Sequence, residues 1–218
     1  MVEKIYVTYN DVHKLCQEAA PKMLASFQPQ LMIAIGGGGY VPARILRSFL
    51  KQPGSPNIPI QAIGLSLYEE MPVTHPSNAS SSTGTVDKIG TKVTRTQWLD
   101  LSSLGEMENL IGKRILIVDE VDDTRTTLEY AVKELEKDVE AAQQKLGRQG
   151  EKTQFNIFVL HNKDKKKKGT LPEDMITEGR YLAARTVGDI WICYPWEAID
   201  IDEHDRLARE QANRTANS

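Results

Sequence analysis

Residues Arg114 to Leu128 read Arg-Ile-Leu-Ile-Val-Asp-Glu-Val-Asp-Asp-Thr-Arg-Thr-Thr-Leu, and this stretch decides the fold class. It opens with four apolar residues, three of them β-branched, which is typical of a strand buried on both faces. Four carboxylates follow within five residues, and a row of threonines then leads into an apolar pattern of helical spacing. A strand, a polar turn and a helix in this order form one unit of an α/β fold, whose ligands bind outside the carboxyl ends of the strands.

The four acidic side chains that crowd this turn are Asp119, Glu120, Asp122 and Asp123. Two unit charges about 4 Å apart repel by about 1 kcal/mol in water and by several times more near a partly dry surface. A bound cation, or a polyol that donates hydroxyl hydrogen bonds, would relieve the repulsion. Thr124, Thr126 and Thr127 offer the opposite chemistry, because hydroxyls and the free N–H groups that open a helix bind phosphate. The pattern indicates a phosphorylated-sugar site; a solvated acidic turn with a threonine N-cap is the simpler alternative.

The composition is that of a soluble protein of one domain with a small appendage: 218 residues, 40% hydrophobic and 26% charged. A net charge of −3 and the lack of a long apolar run predict neither a nucleic acid nor a membrane as partner. The first twenty residues show no signal-peptide pattern, and two cysteines are too few for a disulfide framework. We therefore expect a cytoplasmic protein.

Alternating strand and helix patterns predict a mostly parallel sheet flanked by helices. The predicted strands are 31–35, 60–68, 115–118 and 155–161, with a returning strand at 92–99. Either Asn10 or Asp11 can cap the first helix, which Pro21 kinks or ends. A longer helical pattern starts at Thr126, and Gly147 can end it.

The chain divides by composition into a core at 1–170 and a small aromatic and polar hood at 171–218. Within the core, the segment 69–90 is rich in Ser, Thr, Pro and Gly and has few large apolar residues. Segments of this length without structure are uncommon in compact domains and are usually lids or disordered. We therefore predict a flexible lid at 69–90.

The acidic stretch resembles the signature of the type I phosphoribosyltransferases, which has four hydrophobic residues, two acidic, two variable and then Asp-Thr-Gly-x-Thr. The matching residues are the acidic pair Asp119 and Glu120, the dipeptide Asp123-Thr124 and the closing Thr127. Arg125 stands where the family has Gly. An arginine here weakens the expectation of a turn with positive φ, and it adds a cation beside the phosphate.

The four glycines at 36–39 predict a backbone that approaches an anion closely. They are neither a Walker loop nor a dinucleotide fingerprint, and taken alone they indicate a plain tight turn. Beside the acidic stretch, the segment 34–43 resembles the pyrophosphate loop of the bacterial xanthine-guanine phosphoribosyltransferases, which also ends Gly-Gly-x-Val-Pro. The resemblance assigns the diphosphate to Gly36, Gly37 and Gly38. Gly37 stands where that family has a basic residue. The positive charge that would contact the diphosphate is therefore expected from Arg44 or from an arginine near the C-terminus.

Two later stretches resemble the base-binding parts of the 6-oxopurine phosphoribosyltransferases. Lys163 follows a predicted strand where that family has a lysine that donates to the purine O6, and a point charge prefers this oxygen over the amino group of adenine. The lysines at 165–168 are predicted to be solvated. The resemblance stacks Trp191 on the purine, a contact worth about 1–3 kcal/mol per base, and has Ile192 offer its backbone. A tryptophan packed inside a core strand is the simpler interpretation.

The resemblance extends over 5–197, with the acidic variant of the fungal enzymes. It implies a purine salvage enzyme that transfers the 5-phosphoribosyl group of 5-phosphoribosyl 1-diphosphate (PRPP) to hypoxanthine, guanine or xanthine. The products are pyrophosphate and a nucleoside monophosphate (IMP, GMP or XMP). A homodimer is also implied, as is Mg²⁺ held by Glu197, Asp119 and Glu120, partly through water.

The resemblance also implies a role for each part of the acidic stretch. Asp119 and Glu120 hold the ribose hydroxyls, and Asp123 is the general base for the purine proton. The 5′-phosphate is bound by the loop residues Asp122, Asp123, Thr124, Arg125, Thr126 and Thr127. A non-catalytic PRPP-binding regulator of the same fold is the main alternative, although such a protein would want a basic face or an added nucleic-acid module. A phosphatase or dehydrogenase is disfavoured by the missing nucleotide motifs, and the choice between hypoxanthine/guanine and xanthine stays open.

Overall fold

The computed structural model describes residues 3–69, 91–99 and 110–216, which form a six-stranded sheet and a two-stranded sheet with helices packed against them. The large sheet contains β2 (Leu31–Gly36), β3 (Ile60–Glu69), β4 (Thr91–Gln97), β5 (Arg114–Asp122), β6 (Gln154–Lys163) and β7 (Tyr181–Val187). The small sheet pairs β1 (Lys4–Tyr6) with β8 (Trp191–Cys193). The helices are α1 (Tyr9–Ser26), α2 (Tyr40–Leu50), α3 (Thr126–Leu146), α4 (Glu173–Thr177) and α5 (Ile201–Ala216), with a 3₁₀ turn at Pro195–Glu197.

The large sheet has the strand order β4-β3-β2-β5-β6-β7, and every pair is parallel except β3–β4. The predicted mostly parallel sheet flanked by helices is confirmed. From β2 the chain proceeds outward to β3, whereas from β5 it proceeds the other way to β6 and β7. The neighbouring carboxyl ends of β2 and β5 are therefore the switch point of the sheet, where α/β proteins open a crevice.

The central strand β5 is buried on both faces, as its apolar run predicted. Leu116 and Val118 pack against the side that carries α1 and α2, while Ile115 and Ile117 pack against the side that carries α3. Fully burying each such side chain contributes about 1.5–3 kcal/mol. Strand β5 continues through Asp122, so Asp119, Glu120 and Asp122, which were predicted to form a turn, lie on the strand, and only 123–125 lie between it and α3. Packing on both faces fixes the position of these acidic residues at the end of the strand.

The small sheet is built from the two ends of the chain. Strand β1 pairs in parallel with β8, and the side chain of Gln211 on α5 bonds to the backbone N–H of Tyr6 at 2.9 Å and to the carbonyl of Lys4 at 3.0 Å. The segment 171–218, which we expected to form the hood, is divided between the sheets because β7 is an edge strand of the large one. Among the described strands, β7 pairs with β6 alone, and it is half-buried, so its sequence shows no core periodicity.

Helix ends agree with the sequence in part. Gly147 ends α3 in the left-handed conformation at φ 68°, as predicted. The predicted cap of α1 was wrong: Thr8 is the N-cap, and Asp11 completes a capping box from the third helical position. Helix α1 continues through Pro21 to Ser26, so the proline does not end it.

The returning strand predicted at 92–99 is present as β4, at Thr91–Gln97, antiparallel to β3. The predicted lid at 69–90 lies outside the described residues, apart from Glu69 at the end of β3. Within the described ranges, none of the helices combines the length and the apolar content that crossing a bilayer requires.

Candidate active site

A cleft of about 420 Å³ opens where the carboxyl ends of β2 and β5 meet. Its walls include the glycines 36–38, the acidic loop 119–125, Thr127 and Glu197. Three parts of the chain that are far apart in the sequence therefore face one space. Trp191, Ile192, Lys163 and Arg44 are not among the residues that line it.

The glycine loop lies directly against the end of β5 because its residues have no side chains. The Gly36–Gly37 peptide is cis. A Cβ at Gly38 would overlap the carboxylate of Glu120, and one at Gly39 would overlap the backbone carbonyl oxygens of Val118 and Ile35. The backbone of this loop therefore packs directly against the end of β5 that carries the acidic pair, with no space for a side chain at Gly38 or Gly39.

The acidic pair Asp119 and Glu120 lines the cleft beside the glycine loop. Asp119 is 7% exposed, and its Oδ1 accepts the backbone N–H of Glu120 at 2.9 Å. Burial, together with the charge of Glu120, raises the pKa of Asp119 well above its usual range. Burial and the charge of Glu120 also raise the pKa of Glu197. No Lys, Arg or His among the described residues forms an ion pair with any of these three carboxylates.

The next acid, Asp122, is an anchor of the loop. Its side chain is fully buried, and its Oδ2 accepts from Arg125 Nη2 at 2.8 Å and from the Tyr181 hydroxyl at 2.8 Å. The carboxylate expected at a phosphate therefore faces protein partners. The expectation that Arg125 weakens a turn with positive φ was wrong, because the residue has the left-handed conformation at φ 68°. Its guanidinium lies 5.0 Å from the centre of the Tyr181 ring.

The part of the cleft that is rich in hydrogen-bond donors is the start of α3. Thr126 and Thr127 are its first residues, and the hydroxyls of Thr124 and Thr126 lie 3.0 Å apart. The first turn of a helix carries N–H groups without intrahelical acceptors and the positive end of the helix dipole. Together with the threonine hydroxyls, they provide donors for an anion of the size of phosphate.

Two lysines hold Asp123 from the adjacent loop. Lys165 Nζ lies 2.8 Å from Oδ1 and 2.9 Å from Asp189 Oδ1, and Lys163 Nζ lies 3.4 Å from Asp123 Oδ2. Burial opposes the ionisation of Asp123, but the hydrogen bond from Lys165 and the charge of Lys163 outweigh it and lower its pKa. Asp123 is therefore an ionised acceptor at neutral pH.

The prediction that the lysines at 165–168 are solvated was wrong for two of them. Lys165 and Lys167 are half-buried and bind the acidic loop, whereas Lys166 and Lys168 are exposed. The four residues are identical in the sequence, so composition gave no means of separating them. Only the path of the loop after β6, which turns Lys165 and Lys167 inward, distinguishes the two pairs.

The small sheet contributes one contact that the sequence did not reveal. The hydroxyl of Tyr194 donates to the backbone carbonyl of Glu120 at 3.0 Å and lies 2.9 Å from Nδ1 of His161. Its ring stacks on Trp196 at 4.7 Å. An aromatic residue inside a hydrophobic stretch carries no signal for such a contact, which requires the two sheets to be in place.

The base-binding residues expected from the sequence lie near this contact. Lys163 is buried at the end of β6, and Ile192 is buried in the small sheet. Trp191 is 57% exposed, and its backbone N–H donates to the carbonyl of Glu3 at 2.9 Å. Trp196, the candidate for the packed tryptophan of the simpler interpretation, is partly buried against the core and lies in the 3₁₀ turn rather than in a strand.

The carboxylates of the cleft are suitable ligands for a hard cation, but the described residues do not form a complete coordination shell by themselves. Carboxylate oxygens without partner cations are the donors that Mg²⁺ prefers. In the described part of the chain, no three His, Cys, Asp or Glu side chains converge closely enough to hold a metal ion. This agrees with Mg²⁺ sites in which one or two carboxylates are completed by substrate phosphates and water.

Comparisons with known proteins give a consistent result. The chain is 54% identical to xanthine phosphoribosyltransferase 1 of Saccharomyces cerevisiae over 97% of this chain and 98% of that one. It is 55% identical to the hypoxanthine-guanine phosphoribosyltransferase of Schizosaccharomyces pombe over 93% of each chain. A crystal structure of a hypothetical protein from Neisseria gonorrhoeae with bound ppGpp has a TM-score of 0.72 and 38% identity, and covers 97% of this chain and 98% of that one. No family model matches the chain.

Proposed function

The chain belongs to the purine phosphoribosyltransferases, and from this premise we propose that it transfers the 5-phosphoribosyl group of PRPP to a 6-oxopurine in purine salvage. The products are pyrophosphate and IMP, GMP or XMP. Relatives of nearly equal identity, 54% and 55%, carry the names of a xanthine and of a hypoxanthine-guanine enzyme. Overall identity therefore does not choose between the two base preferences.

The observation that carries the proposal is the pairing of opposite chemistries on one cleft wall. Asp119 and Glu120, which form no ion pair with a basic side chain of the described residues, lie four to five residues before Thr124, where the donors that lead into α3 begin. Carboxylates accept hydrogen bonds from a ribose diol, whereas the N–H groups and hydroxyls of 124–127 donate to a 5′-phosphate. A phosphoribosyl group has these two features at its two ends, so one molecule would satisfy both.

The base is proposed to meet the donor and the acceptor formed by Lys163 and Asp123, whose Nζ and Oδ2 lie 3.4 Å apart. The O6 and N7 atoms of a 6-oxopurine lie on one edge of the ring. Lys163 donates to O6, and Asp123 accepts the proton of the ring as N9 attacks C1′ of the sugar. The amino group of adenine would face the ammonium of Lys163 as a second donor, which disfavours that base.

Bond breaking at C1′ generates positive charge on the sugar, and carboxylates near the ribose stabilise it. Mg²⁺, when bound, neutralises the departing diphosphate. Asp119, Glu120 and Glu197 would hold this ion, and Gly36, Gly37 and Gly38 present their backbone to the diphosphate. Of the basic residues weighed from the sequence for this contact, Arg44 is exposed on α2 and bonds to Ser48 at 3.0 Å. Among the described residues, Arg125 is the arginine that lines the cleft.

The direct test is turnover of the purified protein with PRPP and each of adenine, hypoxanthine, guanine and xanthine, with and without Mg²⁺. We expect nucleoside monophosphate and pyrophosphate from at least one 6-oxopurine, dependence on Mg²⁺, and little product from adenine. Binding of PRPP without turnover of any base would instead support the non-catalytic regulator. The implied homodimer stays a prediction, which light scattering of the same sample would check.

A further inference from the structure

The ammonium group of Lys167 lies inside the loop system of the cleft. Its Nζ lies 2.7 Å from the carbonyl oxygen of Asp122, 3.0 Å from that of Asp123 and 2.8 Å from that of Lys163. An ammonium group has three N–H donors, and three backbone carbonyls accept them. The side chain is 14% exposed, and Asp122 Oδ1 lies 3.5 Å from the same nitrogen.

The three carbonyls belong to two loops with different assignments. Asp122 and Asp123 precede the phosphate-binding residues, whereas Lys163 ends β6 and is assigned to the purine O6. One ammonium group therefore spans the part of the site that meets the sugar phosphate and the part that meets the base. The pairing of β5 with β6 ends at Asp122 and Asn162, so the ladder of the sheet does not fix the distance between the loops that follow these two strands.

The backbone after Lys167 reinforces the same contact. The N–H groups of Lys168 and Gly169 both donate to the carbonyl of Thr124 at 3.0 Å. A Cβ at Gly169 would lie 2.6 Å from the carbonyl oxygen of Arg125, so the two backbone segments are in contact and leave no room for a side chain. The segment 167–169 is therefore packed onto the loop that carries the left-handed Arg125.

We propose that Lys167 is a positioning residue, which sets the distance between the phosphate-binding loop and the purine-reading Lys163. The inference rests on the proposed function. The transfer needs the base nitrogen to reach C1′ of a sugar that is held by its phosphate, and a misplacement of about 1 Å costs on the order of 100-fold in rate. Lysine suits this place because a compact ammonium points three donors in three directions, whereas the planar guanidinium of arginine cannot.

The test compares two ligands in Lys167→Met and in the control Lys166→Met, whose lysine is exposed beside it. Ribose 5-phosphate engages only the phosphate loop, whereas GMP engages both loops at once. We expect Lys167→Met to lose about tenfold or more affinity for GMP beyond its loss for ribose 5-phosphate. The kcat should fall about 10- to 100-fold. Lys166→Met should match the wild type in both.

Three results would overturn the proposal. Equal losses of affinity for the two ligands would make Lys167 a brace of the phosphate loop alone, and an unchanged kcat would remove any role in the reaction. If Lys167→Met does not fold, Lys167→Arg keeps the charge and changes the geometry; we expect a reduced kcat at a wild-type melting temperature, and wild-type kcat would count against us. Absence of transfer by the wild type would instead refute the proposed function, which keeps the two failures separate.

Discussion

Two halves of one acidic stretch, 119–123 at the end of β5, contain the same kind of side chain in opposite surroundings. Asp119 and Glu120 have no cation near them among the described residues, and burial raises the pKa of Asp119. Asp122 and Asp123, only three residues later, are bound by an arginine and three lysines. The second half forms ion pairs with basic side chains of the protein, whereas no described basic side chain forms an ion pair with the first half. The ion pairs therefore divide the acids into an unrelieved half, Asp119 and Glu120, which we propose to hold the ribose, and a relieved half, in which Asp122 anchors the loop and Asp123 is proposed to act on the base.

The largest effect that would test this division is expected at Asp123, which is ionised and open to the base. We expect Asp123→Asn to lower kcat by about 10²–10⁴, the usual contribution of a general base. The change removes the charge but keeps the shape, so PRPP should still bind. Steady-state kinetics would be compared with Asp164→Asn, which removes an exposed acid from the neighbouring loop. Near-normal turnover of Asp123→Asn would refute the assigned role.

The next effect concerns stability and separates the two halves by sign. Because burial raises the pKa of Asp119, the folded state binds its proton more tightly than the unfolded state does. The ionised carboxylate therefore destabilises the protein above that raised pKa, and the cost disappears as pH falls toward about 4. We expect Asp119→Asn to raise the melting temperature at pH 8, by roughly 2–4 °C per kcal/mol released, and to weaken PRPP binding.

The matched variant for this prediction is again Asp123→Asn. It loses its ion pairs with Lys163 and Lys165, so its melting temperature should not rise. Calorimetry of both variants at pH 5 and pH 8 would show the contrast. A lower melting temperature of Asp119→Asn at pH 8 would mean that the acidic pair is already satisfied without a ligand.

A smaller effect sharpens the relieved half. The hydrogen bond from Lys165 lowers the pKa of Asp123 against the opposing effect of burial. Lys165→Met should therefore move the midpoint of the Asp123 carboxyl ¹³C titration to higher pH, and Lys166→Met should leave it in place. A midpoint that stays constant or moves to lower pH would show that Lys165 does not compensate this acid.

The smallest effect is expected at the contact between the small sheet and the acidic pair. Burial lowers the pKa of His161 to about 4, so its ring is neutral and can donate to Tyr194, which donates to the carbonyl of Glu120. Tyr194→Phe leaves both partners unpaired, which should cost about 1–3 kcal/mol of unfolding free energy. We also expect a several-fold higher KM for PRPP. An unchanged KM together with the loss of stability would confine Tyr194 to a structural role.

The sequence predicted those features that depend on neighbours along the chain. The apolar run at 115–118, the helix start at Thr126 and the glycines at 36–39 each have a local physical cause, and the parallel topology then brings them to one edge of the sheet. The resemblance to a family assigned their roles. The crowding of the four acids is visible in the sequence itself, but which of them form ion pairs is not.

The features that the sequence did not predict depend on contacts between distant segments. Identical lysines at 165–168 differ only in which way the backbone turns them. Arg125 keeps a conformation that glycine adopts more easily, and Asp122 and Tyr181, the latter 56 residues further along the chain, both contact it. The N-terminal strand joins the small sheet only once β8 is placed beside it. Pattern and propensity carry no information about such partners.

The central claim is that the unrelieved acids hold the sugar while the compensated loop holds its phosphate. A crystal structure of the protein with GMP tests it most directly. The account predicts the phosphate on the N–H groups and hydroxyls of 124–127, and the ribose hydroxyls within hydrogen-bonding distance of Asp119 or Glu120. A nucleotide bound away from this cleft, or one whose ribose makes no contact with either carboxylate, would contradict it.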